Sequence, residues 1–240
     1  MKMPQSMLSP RSGLSRRLMQ FALTVTLTVF TGAAFASEAT LSSDTAEICA
    51  QYRGFEDASL ETALRSAGWT RLTSAPEQTL KNTFRDGMMI STGVSNARRI
   101  DWSDAQSRAE RTTDTIIQLA ADESILRLYA SANEPRAVLS VFLRPLEEVD
   151  LFQCNYSGPI SDQHARILQQ VRKMDENAGK SIVNPEFYVM KRRSMQPFEN
   201  GQGMKEVSLQ MSQYLIAMSD VIGRNASAEM GFSQVTVYPK

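Results

Sequence analysis

The sequence predicts an α+β fold in which N-terminal helices pack on an antiparallel sheet. Three observations carry that expectation. Residues 44–121 show helical spacing of apolar side chains with capping signals between them. Residues 125–156 break into three short runs rich in β-formers, which read as a three-strand meander. Cys49 and Cys154, the only two cysteines, fall one in each region. Further helix and strand elements follow to the C-terminus.

The chain opens with residues 1–36, which read as a cleaved secretory signal peptide. Lys2, Arg11, Arg16 and Arg17 precede an apolar run from Leu18 to Phe30, and no acidic residue occurs before Glu38. Ala34 and Ala36 supply the small residues of a cleavage site, so cleavage is expected between Ala36 and Ser37. A spanning helix needs about 20 apolar residues. The stretch from Phe21 to Ala36 is 16 long and holds four threonines and a glycine, too short and too polar to span. Residues 37–240 then form one α+β domain, with a hint of two subdomains at about 44–157 and 158–240.

Asp44 and Glu47 have capping-box spacing, which predicts a short helix through Tyr52 with Cys49 on its packed side. A second helix is expected at 59–67, with Gly68 as its C-terminal stop. Trp69 and Leu72 return to the core. Pro76 opens a third helix at 77–85, and 87–99 reads as a short strand or packed loop. Trp102, Ala105, Ala109, Ile116 and Ile117 form a stripe that predicts a long helix over 102–121.

The β-rich runs are 125–130, 137–143 and 149–156. The middle one is almost continuously apolar, as a strand covered on both faces would be. A helix capped by Ser161 is expected to run to Met174, then a strand over 186–192. Residues 204–222 admit two readings. As a helix, Met204, Val207, Met211, Tyr214, Met218 and Val221 share a seam; as a hairpin, Val207, Leu209 and Met211 alternate. The helix fits more positions and is preferred. A final strand is expected over 232–238.

The composition supports an ordinary globular chain. Of 240 residues, 42% are hydrophobic and 22% charged, which excludes a disordered, collagenous or multi-span membrane chain. The formal net charge is zero. Losing residues 1–36 removes four basic residues, leaving 22 basic against 26 acidic and a net charge of −4. That sign gives no pull toward nucleic acid. In an oxidising compartment, Cys49 and Cys154 are expected to form a disulfide. Closing the loop between them stabilises by about 4.7 kcal/mol in the chain-entropy account.

No catalytic motif is legible. There is no G-x-S-x-G, and the one histidine, His164, lies beside an apolar helix stripe with no partner motif. No metal motif surrounds it. Met204, Met211 and Met218 would share one helix face, but a spacing of about 10 Å is too wide for one copper ion. Glu147 and Glu148 sit in a predicted turn and read as solvated. Asn155 and Asn225 match the N-glycosylation pattern. No cofactor is implied.

The leading expectation is an exported periplasmic or secreted accessory protein. It would bind a protein or small-molecule partner without catalysis, and would have no stable membrane insertion once the signal is removed. A hydrolase using paired carboxylates is the alternative, and a surface-association module presenting Phe187, Tyr188 and Tyr214 is a third.

Overall fold

Seven strands hydrogen-bond into one antiparallel sheet, and alternation along them sorts side chains onto two faces. The computed structural model describes residues 41–52, 58–93, 101–177, 187–197, 204–214 and 226–240. The expected signal segment and the Ala36/Ser37 cleavage site lie outside the described residues. Five helices and seven strands are described. In chain order they are α1 (Leu41–Gln51), α2 (Ala58–Ser66), β1 (Trp69–Arg71), α3 (Gln78–Gly93), α4 (Trp102–Leu119), β2 (Leu126–Ser131), β3 (Val138–Pro145), β4 (Val149–Gly158), α5 (Asp162–Asn177), β5 (Phe187–Pro197), β6 (Met204–Tyr214) and β7 (Met230–Pro239). The sheet order is β1-β2-β3-β4-β7-β6-β5.

One face carries α1, α2 and α5. Cys49, Leu60, Leu64 and Leu168 from these helices meet Trp69, Tyr129, Leu139, Phe152, Tyr156, Phe232 and Met211 from the strands. Leu60 and Leu64 are fully buried, each contributing about 2 kcal/mol. The Cys49 and Cys154 sulfurs stand at disulfide distance, 2.11 Å, with Cα atoms 6.1 Å apart. This joins α1 to β4 in the middle of the sheet. Hydrogen bonds also hold α1 along its length. The Trp69 indole donates to Thr45 Oγ1 at 2.9 Å. Lys205 Nζ and the Tyr238 hydroxyl donate to the Ala50 and Tyr52 carbonyls, both at 2.7 Å. The last two supply partners where a helix end leaves its carbonyls unbonded.

The other face is covered at one end by α3 and α4. Met89, Ala105, Ala109 and Phe187 form a second cluster there, with Trp102 edge-on to Phe187. Asp101 caps α4, accepting from the Ser103 and Asp104 amides.

Several expectations are met. The meander exists as β2-β3-β4, and α2, α4 and α5 lie within a few residues of their expected spans. Gly68 follows α2 with φ of +87°, a conformation other residues adopt at a cost.

Five expectations need correction. The helices are not all N-terminal, since β1 precedes α3 and α5 joins β4 to β5. The sheet extends well beyond the meander, with β4 at its centre, while β3 lies between β2 and β4 with residues 138–141 buried on both faces as expected. Residues 204–214 are strand β6, paired on both sides, rather than the preferred helix. Val207, Leu209 and Met211 point to the α1 face while Ser208, Gln210 and Ser212 point away, so period two prevails over the helical seam. Residues 215–222 lie outside the described residues.

The fourth correction concerns α3, which continues through Gly87 to Gly93 where a strand or loop was expected; residues 94–99 are not described. Gly87 is there because α3 touches the sheet backbone. A Cβ on it would stand 2.2 Å from Ser157 Oγ, and a Cβ on Gly231 would stand 2.2 Å from the Gly87 carbonyl oxygen. Helix α1 likewise begins at Leu41, ahead of the Asp44 capping-box spacing.

Candidate functional site

The face bearing α3 and α4 is organised in rows that cross the strands. Directly paired residues share a face, so each row can be read from the register. Beneath α3 runs the row Val138, Ser157, Gly231, Ser212 and Val189. It is built of small or buried groups, and Gly231 lies against Gly87. The next row is Ser140, Asn155, Ser233, Gln210 and Lys191, polar on all five strands. After it comes Phe142, Gln153, Val235, Ser208 and Arg193.

The β4, β7, β6 and β5 members of these two rows form the floor of a groove of about 460 Å³, with Met88 of α3 at its wall. Burial grades along the polar row. Ser140 and Asn155 are buried, Ser233 and Gln210 half-buried, and Lys191 exposed. From Asn155 to Lys191 spans three strand spacings, about 14 Å.

The buried end is held rigidly. Gln153 Nε2 donates to Asn155 Oδ1 at 2.9 Å and to Ser233 Oγ at 3.1 Å. Asn155 Nδ2 donates to Ser140 Oγ at 3.1 Å. These bonds use both Gln153 donors and fix both amides, and they leave the Gln153 carbonyl oxygen and the Ser233 hydroxyl hydrogen for a ligand. Gln210 and Lys191 have no side-chain partner among the described residues. Arg193 is engaged, its Nε 2.9 Å from Glu206 Oε1, which also accepts from Ser208. The groove thus offers donors and acceptors on a fixed strand frame, with Lys191 and the exposed Arg192 at its open end and no carboxylate among its lining residues.

Two other grooves are less organised. One of about 510 Å³ runs along α5, lined by Asp162, Arg166, Gln169, Arg172 and Tyr188. Arg172 is bonded to Glu176, and Tyr188 donates to Asp175 at 3.0 Å. Burial, with that carboxylate next in weight, pushes the Tyr188 phenol up to about 12. A smaller one of about 250 Å³ lies between residues 72–75 after β1, Leu128 of β2 and the end of α4. The paired carboxylates that would mark a hydrolase do not converge in any of the three. Asp162 and Glu123 are the only acids lining them, one groove each.

His164 is buried, 6% exposed. Its Nδ1 lies 3.1 Å from Ser42 Oγ, and its ring stands edge-on to Phe232. Ser42 Oγ also accepts from the Ser161 amide at 3.0 Å. The Ser42 hydroxyl can therefore donate to the neutral imidazole. This serine-histidine pair has the composition of a nucleophile and base, but Ser42 is 1% exposed, so it joins α1 to α5 and does not meet substrate. Burial lowers the His164 pKa.

The remaining expected features separate. Met204 and Met211, seven residues apart on a strand, face opposite ways, Met204 exposed and Met211 buried. Met218 lies outside the described residues. Asn155 is 4% exposed, closed to glycosylation in the folded chain, and Asn225 is not described. Glu147 and Glu148 are exposed in the β3–β4 turn. Phe187 and Tyr188 are buried, and the Tyr214 hydroxyl bonds the Asp86 carbonyl at 2.6 Å, so these three aromatics present no surface patch. No group of three or more potential metal-ligating residues gathers among the described residues. None of their helices is long and apolar enough to cross a membrane.

The polar row escaped the sequence reading because β6 was assigned as helix. Alternation at Val207, Leu209 and Met211 would have placed Ser208 and Gln210 together on the opposite face. No family model, no curated protein and no solved structure matches the chain.

Proposed function

We propose that the protein is an exported, non-catalytic binding protein whose ligand occupies the groove over β4, β7, β6 and β5. One observation carries the reading. Gln153, Asn155 and Ser233 are bonded to one another on a rigid sheet while still presenting unused polar atoms to an open groove. Ligand sites are concave and place a few fixed polar groups, and a preset geometry lowers the ordering cost of binding. Export is supported by the basic, apolar and small-residue order of residues 1–36 and by a cysteine pair at disulfide distance, which persists in oxidising compartments.

Native mass spectrometry of protein recovered from its own cell envelope tests the reading, run beside Gln210→Trp. The substitution puts a good β-former on β6 and fills the groove. A bound mass in the wild type that disappears in Gln210→Trp is expected. A bound mass retained by the variant would place the ligand elsewhere, and two bare chains would remove tight binding as the function.

A further inference from the structure

Resting on that binding reading, we infer that the groove takes an acidic saccharide, a hydroxyl-rich chain carrying a carboxylate. The geometry argues for each half of that description. The free groups on the groove floor differ in kind. The Gln153 carbonyl in the neighbouring row accepts, the Ser233 hydroxyl donates, and the Gln210 amide offers two donors and an acceptor. A ligand matching such a row must itself both donate and accept at short intervals, as adjacent sugar hydroxyls do. The row runs across the strands, whereas an added peptide strand would lie along the β5 edge and pair with its backbone.

The charge comes from the open end. Lys191 is exposed at the last position of the row and makes no ion pair among the described residues. Arg193 in the neighbouring row is already matched by Glu206. No acid lines the groove. A ligand with its hydroxyls over Gln153, Ser233 and Gln210 therefore brings its far end to the Lys191 ammonium, with Arg192 beside it, where a carboxylate is favoured over a neutral group.

The experiment is nuclear magnetic resonance titration of the disulfide-bonded protein, following the side-chain amide signals of Gln153, Asn155 and Gln210. Three probes are used at millimolar concentration: tetragalacturonate, neutral maltotetraose and hexaglutamate. Tetragalacturonate is expected to shift all three amide signals and to bind more tightly than maltotetraose. Lys191→Gln should weaken tetragalacturonate about fivefold, the scale of an exposed charge pair, and leave maltotetraose unchanged. Gln153→Ala should weaken both about tenfold.

Equal binding of the two saccharides, insensitive to Lys191→Gln, would overturn the acidic assignment and leave the groove as a binding site. Hexaglutamate shifting the same amide signals while neither saccharide does would overturn the saccharide assignment alone. Silence of all three signals, with or without shifts elsewhere, would overturn the acidic-saccharide assignment. A bound mass lost in Gln210→Trp would still support the groove after that result, so the two failures are told apart.

Discussion

Replacing both Cys49 and Cys154 with alanine, or reducing the native bond, should destabilise the whole chain rather than free one helix. The two cysteines are 105 residues apart in sequence. A cross-link closing a loop of that size stabilises by about 4.7 kcal/mol through the unfolded chain. Helix α1 keeps four other anchors in the folded state. Thr45, Ala50 and Tyr52 accept from Trp69, Lys205 and Tyr238, and Ser42 accepts from Ser161. At about 1 kcal/mol each, these hold α1 in place without the sulfur bridge. The assay is urea unfolding followed by tryptophan fluorescence, with native-state amide exchange alongside. Taking a urea slope of about 2 kcal/mol/M, the midpoint should fall by about 2 M. Under native conditions the α1 amides should stay protected. Exchange accelerated in α1 alone, with the sheet midpoint unmoved, would show the bond to be a local clasp and would refute the chain-entropy argument.

Three further outcomes are expected. Burial lowers the His164 pKa below its unfolded value near 6.5, so the unfolded chain binds the proton more readily. The stability held by neutral His164 is complete above about 6.5 and is lost as pH falls, and a urea midpoint that declines from neutral to mildly acidic pH in the wild type should flatten in His164→Gln. Gly231→Ala, whose Cβ would stand 2.2 Å from the Gly87 carbonyl oxygen, should cost about 3 kcal/mol. Gly68→Ala, limited by a φ of +87° and one flexible Asn133 side chain, should cost only about 1 kcal/mol, and equal midpoints for the two would contradict the backbone-contact argument. Lys205→Met removes the charged donor to the Ala50 carbonyl and should cost about 2 kcal/mol, with amide exchange rising first at the end of α1.

Much of the fold was legible where local signals and burial agree. Ser161 caps a helix whose Leu168 packs into the core over the sheet, and the β2-β3-β4 meander has short turns between neighbouring strands. The cysteines, one on a helix and one on a strand, stand at bonding distance. What failed depended on distant partners. Strand β6 is held by β5 and β7, and its helical seam extended over residues beyond Tyr214. Gly87 lies inside α3 although propensity penalises glycine in a helix by about 1 kcal/mol. Only the sheet backbone opposite explains why a side chain there is excluded. The site was illegible for the same reason: Asn155, Ser233, Gln210 and Lys191 come from four strands, adjacent only once the register is known.

The glycine contact and the groove are one construction. Helix α3 approaches the sheet closely at Gly87 and Gly231, so it covers the row of Ser157, Gly231 and Ser212. The next row emerges beside Met88, with its buried Asn155 anchored to Ser140 and Gln153 and its outer members open. Side chains in place of either glycine would push α3 off the sheet and widen the wall before touching any polar group on the floor. The Gly231→Ala protein that remains folded should therefore lose affinity for groove ligands in parallel with stability. Its Gln153 and Asn155 amide signals, bonded to each other and to Ser140, should stay near their wild-type positions. Floor signals that scatter as soon as α3 is lifted would mean that the helix, rather than the sheet, holds the polar row in place.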